Sequence, residues 1–283
     1  MRDDMTEPTP GEAESRDVAE LLRVLDLEEL DRDILRGTNP AGDARRPRLF
    51  GGQVAAQAAR AACLTVPDDR LLHSLHGYFL RGGEADRPTI LHVDRDRDGR
   101  SFSARHVTAR QNGKVIMSLL VSFSVDEAGH EFEAPSIAAT VPPPEEVAEA
   151  HPASAHHAIF DLRILGVGSA TSAFFRTPHR FWARPRTALP DDRLLHACVL
   201  TYLSDIGTGL AKLDDERPRG GPSLDHAVWF HHPARMDDWV LVELVPAAAA
   251  GGRAFYTGTV HDRAGRLLAT IAQEHVSRDM DPR

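Results

Sequence analysis

Between Asp191 and Leu213 the apolar residues Leu195, Val199, Tyr202, Leu203, Ile206, Leu210 and Leu213 recur at steps of three and four. This period predicts one long helix, apolar on most of its circumference and therefore buried. Pro190, Asp191 and Asp192 supply its start, because carboxylates accept orphan backbone N–H groups and oppose the dipole there. Gly207 and Gly209 each cost a helix interior about 1 kcal/mol against Ala, which suggests a neighbouring backbone that must come close. Asp205 breaks the pattern. It falls about three turns into the predicted helix, too far to cap its start, on a stripe with Thr201, Thr208 and Lys212 that apolar side chains enclose. One reading pairs the acid with Lys212 or another partner. The other keeps it for chemistry, and is favoured because an unpaired buried carboxylate is expensive.

The rest of the chain alternates between the two periods. Ser15 resembles an N-cap, and Val18, Leu21, Leu22 and Leu25 give an amphipathic first helix, followed by a short turn about Leu30 to Leu35 and a loop over Arg36 to Arg48. From Phe50 the run FGGQVAAQAARAACLTV predicts a core helix whose alanines let neighbours approach closely. After Pro67 the period becomes two. Leu72–Leu80, Thr89–Val93, Phe102–Arg110 and Lys114–Val125 are predicted strands, the last two joined by the hairpin signal Gln111-Asn112-Gly113. Prolines at 135, 142, 143, 144 and 152 mark an extended linker. Strand-like pieces at Ile159–Ile164 and Arg180–Arg184 precede the long helix. Strands Ser223–Phe230 and Trp239–Leu244 follow it, then a hairpin of Arg253–His261 and Arg266–Ser277 turning at Arg263-Ala264-Gly265.

This order occurs twice. His76 and His226 are 150 residues apart, and the hairpin glycines Gly113 and Gly265 are 152 apart. A helix on a curved antiparallel sheet, made twice, is an α+β double hotdog whose half-sheets meet edge to edge and so remove two exposed edges. The expected division is a disordered tail over 1–14, an N-terminal hotdog over 15–125, a Pro-rich linker over 126–158 and a C-terminal hotdog over 159–283.

Composition narrows the function classes. A net charge of −9 with scattered arginines argues against nucleic acid. No apolar run approaches the ~20 residues that cross a bilayer, and the first residues lack a signal-peptide core, so no membrane association is expected. With only Cys63 and Cys198, both in helical patterns, a reducing cytoplasm is the expected location. Aligning the halves isolates three polar residues of the second one: Asp205 stands opposite Ala55, Ser223 opposite His73, and Gln273 opposite Phe123 or Val121. A carboxylate, a hydroxyl and an amide at one spot can hold and deprotonate a water, the acid taking the proton. On strand alternation Asp225 shares a face with Ser223 whereas His226 points away, so both are read as structural, with Asp225 a supporting partner of the site. His231-His232 and His156-His157 lack a further ligand at metal spacing, so no metal is expected. GVGSAT at 166–171 precedes no helix suited to a dinucleotide, no other cofactor motif appears, and no G-x-S-x-G occurs. Cys198 is read as a core thiol.

Seven segments in register, LFGGQVAAQAARAA, LLHSLHGYFLRGG, DGRSFSARHVTARQNGKVI, LTYLSD, SLDHAVWFHHP, WVLVEL and IAQE, resemble the acyl-CoA thioesterase II family from about Leu22 to Arg278. The resemblance implies a double hotdog that hydrolyses acyl-CoA to free acid and CoA. It implies catalytic residues matching Asp205, Ser223 and Gln273 and association through the sheets into a homodimer or homotetramer; with no ligand cluster or phosphate loop in the chain, no cofactor is expected. Residues 166–187 match poorly, and His275 stands where a small residue is expected. The free N–H groups at Gly51 and Gly52 are the candidate donors for the thioester carbonyl. Two alternatives are a non-catalytic acyl-CoA or lipid-binding hotdog, which needs no convergent polar groups, and an enoyl-CoA hydratase, which needs a His where Leu210 stands.

Overall fold

The computed structural model describes residues 20–39, 48–133, 136–150, 158–165, 179–206 and 219–279. Residues 20–25 are helical, which leaves Ser15 and Val18 outside the described residues. The short turn expected about Leu30 to Leu35 is the tip of a hairpin of β1 (Glu28–Asp31) and β2 (Ile34–Gly37), whose strands were not expected from the sequence. Asp33 turns it at φ 59°, a conformation that short polar side chains tolerate. The pairing is tertiary in origin: β2 lies along β4 (Thr89–Asp98), and Arg95 of β4 grips the Asp33 carboxylate with Nε at 3.0 Å and Nη2 at 2.8 Å.

Helix α1 (Gly51–Cys63) follows the alanine run as expected. Ala55, Ala56, Ala58, Ala59, Ala61 and Ala62 are all buried, because the helix is enclosed by sheet on one side and by a second helix on the other. The strands β3 (Arg70–Phe79), β4, β5 (Phe102–Gln111) and β6 (Lys114–Val125) agree with the period-two reading. Asn112 and Gly113, at φ 50° and 73°, make the tight hairpin between the last two. On β5, Arg105 is fully buried and is satisfied by the Thr65 hydroxyl and carbonyl, the Arg97 and Ala104 carbonyls and the Asp98 carboxylate.

The expected linker is anchored where it is described: the Pro142 carbonyl accepts from Trp182 Nε1 at 2.9 Å, and Glu133 accepts from the Leu267 N–H at 3.0 Å. Strands β7 (Phe160–Leu165) and β8 (His179–Pro185) lead to helix α2 (Arg193–Ser204). Asp192 caps α2, its Oδ1 accepting from the N–H groups of Leu194 and Leu195. The expected helix ran on to Leu213, but α2 ends at Ser204 and Asp205 is its C-cap residue at φ −92°, ψ −3°. Gly207, Thr208, Gly209, Leu210, Lys212 and Leu213 lie outside the described residues.

After α2 come β9 (Arg219–Gly220), β10 (Asp225–Phe230), β11 (Val240–Ala250), β12 (Arg253–Asp262), β13 (Leu267–Val276) and β14 (Arg278–Asp279). Among the described residues, twelve strands make one antiparallel sheet in the order β1-β2-β4-β5-β6-β3-β10-β13-β12-β11-β8-β7, with β9 and β14 paired separately. At its centre β3 lies beside β10, with His76 opposite Ala227 and Gly77 opposite His226. The two helices share one face of this sheet and run antiparallel: Arg60 near the end of α1 pairs with Asp192 at the start of α2 at 3.0 Å. Cys63 and Cys198 meet between them as free thiols, their sulfurs 4.0 Å apart.

Candidate active site

Three elements bring the predicted polar residues together. Asp205 closes α2 and is 5% exposed, Gln273 lies on the helix-facing side of β13 and is fully buried, and Ser223 stands just before β10 in a bridge to His275 of β13. The amide is the hub. Gln273 Nε2 donates to Asp205 Oδ1 at 2.9 Å and to Ser223 Oγ at 2.5 Å, which employs both amide hydrogens. Asp205 is therefore neither a cap for the helix start nor an acid three turns inside a helix. The helix stops at the residue before it, and that stop aims the carboxylate at the sheet.

The second carboxylate oxygen faces α1. A Cβ added at Gly51 would lie 2.7 Å from Asp205 Oδ2, so only a glycine there leaves room for the acid. A Cβ at Gly52 would lie 2.5 Å from the Tyr202 carbonyl oxygen, which is the close approach of α1 to α2. The carboxylate thus sits at a helix N-terminus, where backbone N–H groups lacking intrahelical partners favour negative charge. Phe79, whose ring edge would be 3.1 Å from the same Gly51 Cβ, and the Phe50–Tyr202 ring pair, 5.1 Å apart, wall this spot with apolar surface. Burial pushes the Tyr202 phenol well up, so its ring is neutral beside the acid.

His226 is the residue that alternation misplaced. It is fully buried and faces the site, its Nδ1 in close contact with Gln273 Oε1 and its Nε2 2.7 Å from Ser204 Oγ. The cause is an irregularity in the ladder. Ser223 pairs with His275 but Ala227 pairs with Ala272, four residues on one strand against three on the other, so Ser223 and His226 both face the helices. Asp225, read as structural, has its Oδ1 accepting from the Glu274 N–H at 2.7 Å, which pins the irregular stretch by its backbone. No sequence signal marks a bulge of this kind, since it contains no glycine.

The other candidates resolve differently. His231 pairs with Thr270 Oγ1 at 2.9 Å and His232 with Glu133 at 2.7 Å, while His156 and His157 lie outside the described residues. His275 is buried on β13 with its ring 6.2 Å from Tyr256. At the far end of α2 a surface cleft is lined by Asp68, Asp69, Asp126, Asp191 and Asp192 together with Arg70 and Arg193, and the Asp69–Arg70 and Asp126–Arg193 ion pairs partly neutralise it.

A family model described as the acyl-CoA thioesterase N-terminal domain matches residues 40–124, and one described as the acyl-CoA thioesterase C-terminal domain matches residues 138–277. The chain belongs to the acyl-CoA thioesterase II family. Among its relatives, acyl-coenzyme A thioesterase 8 of Mus musculus is 35% identical, over 95% of this chain and 93% of that protein. The crystal structure of an acyl-CoA thioesterase II from Mycobacterium marinum is 36% identical and superposes with a TM-score of 0.79, covering 93% of this chain and 100% of the other. A hot dog fold protein from Alicyclobacillus acidocaldarius, 21% identical, superposes with a TM-score of 0.74 over 92% of this chain and 98% of its own. The thioesterase therefore has the hotdog fold, with a large antiparallel sheet and few helices. Among its described residues no helix is long and apolar enough to cross a membrane.

Proposed function

We propose that Asp205, Ser223 and Gln273 are the groups with which this acyl-CoA thioesterase activates water to hydrolyse acyl-CoA. The observation that carries the proposal is the amide of Gln273 joining a buried carboxylate to a hydroxyl beside the start of α1. Asp205 accepts a proton from water as its oxygen attacks the thioester carbonyl carbon. Ser223 and Gln273 fix where that oxygen stands, and the N–H groups at Gly51 and Gly52 receive the charge that develops on the carbonyl oxygen. The intermediate then expels the sulfur, which takes the proton from Asp205, leaving a carboxylic acid and free CoA. Every group in this scheme comes from the chain itself, without metal or cofactor. Three convergent polar groups are more than a binding module needs, and family membership does not favour a hydratase.

We further read the fold as a double hotdog. Its support is the strand order, which mirrors itself about the β3–β10 junction, β6 and β13 flanking it, then β5 and β12, then β4 and β11. The N-terminal hotdog would end near Val125 and the C-terminal one begin near Ile159. For association, the sheet face away from the helices exposes Tyr78, Leu120 and Trp229 on the neighbouring strands β3, β6 and β10, an apolar patch suited to a homodimer or homotetramer. Light scattering on Trp229→Asp against the parent protein tests this. The free Cys63 and Cys198 thiols support a reducing compartment, the cytoplasm.

Asp205→Asn keeps size and much of the hydrogen bonding but removes basicity, so kcat should fall by about 10² to 10⁴ with KM and folding little changed. Ser223→Ala and Gln273→Ala should each cost less, and the three losses should not add. Near-parental turnover by Asp205→Asn with an intact melting curve would make the acid structural.

A further inference from the structure

His226 occupies a position from which the amide of Gln273 can be locked, and hydrogen-bond chemistry decides how. The Asp205 carboxylate only accepts, so the end of Gln273 that faces it at 2.9 Å must be the NH₂ group. Its second hydrogen goes to Ser223 Oγ. The amide oxygen is then the atom that meets His226 Nδ1, and because that oxygen only accepts, Nδ1 must carry a proton.

The other ring nitrogen completes the assignment. Burial pulls the His226 pKa down, against the opposing pull of the Asp205 and Asp225 carboxylates and of the Gln273 contact, so the ring is neutral near pH 7. A neutral ring protonated at Nδ1 has an acceptor at Nε2, 2.7 Å from Ser204 Oγ. The Ser204 hydroxyl also lies 2.8 Å from the Thr201 carbonyl, and its single proton cannot serve both acceptors. With Nε2 unprotonated, that proton turns to the histidine. Ser204 is the last residue of α2 and adjoins Asp205, so the contacts form a closed circuit from Ser204 through His226 and Gln273 to Asp205.

We propose that His226 is a positioning residue for the hydrolysis: as the neutral Nδ1–H tautomer, held by Ser204, it fixes the Gln273 amide with both N–H groups toward Asp205 and Ser223. The proposal rests on the reading of Asp205, Ser223 and Gln273 as the water-activating group. It assigns His226 no proton transfer. Without the histidine's donor the amide oxygen loses a buried partner, and the amide can rotate about its last side-chain bond away from the carboxylate.

The test compares five variants in hydrolysis of a medium-chain acyl-CoA. His226→Ala should lower kcat by about 10- to 100-fold with KM nearly unchanged, as expected when a reacting group loses its alignment. His226→Asn, whose amide N–H replaces the donor at Nδ1, should recover all but about threefold of the parental kcat with the pH–rate profile unmoved, since no titrating group is lost. His226→Ala combined with Gln273→Ala should be no slower than Gln273→Ala alone, because the histidine acts only through the amide. Asp205→Asn is the reference for the underlying reading. If His226→Ala hydrolyses at the parental rate while Asp205→Asn does not, the positioning role is overturned and the water-activating group stands. If both are parental, the site lies elsewhere and the proposal fails with it. If His226→Asn is as slow as His226→Ala and a limb of its pH profile is displaced, the ring titrates during turnover and positioning is wrong. Should His226→Ala not fold, ¹⁵N NMR of the histidines in the unsubstituted protein, with His226→Asn to identify the signal, still decides. A protonated Nδ1 with a bare Nε2 supports the proposal, and the reverse tautomer or a cation at pH 7 overturns it.

Discussion

Gly51→Ala is the most direct probe of the proposed role of the Asp205 carboxylate. The added methyl would stand 2.7 Å from Asp205 Oδ2, whereas ordinary contact begins near 3.4 Å, and the Phe79 ring at 3.1 Å closes the sideways escape. Asp205 must therefore retreat by about 0.7 Å, in a setting where misplacement on the order of 1 Å costs up to about 10²-fold. Turnover should fall by about 10- to 100-fold, mostly in kcat. Stability should hardly follow. Alanine in place of a helical glycine is worth about 0.5 to 1 kcal/mol, which offsets the crowding, so Tm should stay within about 4 °C of the parent. Gly52→Ala is the contrasting control. Its methyl would meet the Tyr202 carbonyl at 2.5 Å, a backbone atom that cannot step aside, so the two helices must separate at a cost of about 1 to 3 kcal/mol. Rates of thiol release and calorimetric melting of both variants give the comparison. A Gly51→Ala enzyme of parental rate would refute the placement of Asp205 Oδ2 at the reacting centre.

Three further outcomes concern stability. Burial lowers the pKa of His73, His76, His179, His196, His226, His231, His261 and His275, His179 to about 4, so the unfolded chain binds protons more tightly than the folded one; stability should be full above about pH 6.5 and decline as pH falls through 5, and urea midpoints that stay flat from pH 7.5 to 5 would contradict this. Arg105→Met should lower unfolding free energy by about 3 kcal/mol or more, because it strips donors from the Thr65, Arg97 and Ala104 carbonyls, and an unchanged urea midpoint would argue that these groups reach water. Residues 1–130 produced alone should aggregate, because the β3 edge that pairs with β10 is left bare; a soluble, sharply melting monomer by size exclusion and calorimetry would count against the continuous sheet.

Most strands were legible because their cause is local. Lys114–Val125 was bounded correctly from alternation and an Asn-Gly turn alone, since the turn geometry belongs to those two residues and the alternation to their neighbours' burial. Helix α1 was legible for a like reason, its alanines announcing close packing without saying against what. The β1–β2 hairpin was not, because its stability comes from the β4 edge and from Arg95 some sixty residues on. Of the site, the sequence singled out Asp205, Ser223 and Gln273 by their absence from the first half, and Gly51 and Gly52 by the free N–H groups of a helix start. Their distances are tertiary. Where α2 stops was invisible in a pattern whose apolar period continues to Leu213, yet that stop is what turns the Asp205 carboxylate toward Gln273. The facing of His226 was likewise decided by one unmatched residue between two strands, which reverses the side a chain presents although every residue type is unchanged. Composition and period determine which residues are apolar, helical or extended; only the pairing of distant strands determines which polar atoms meet.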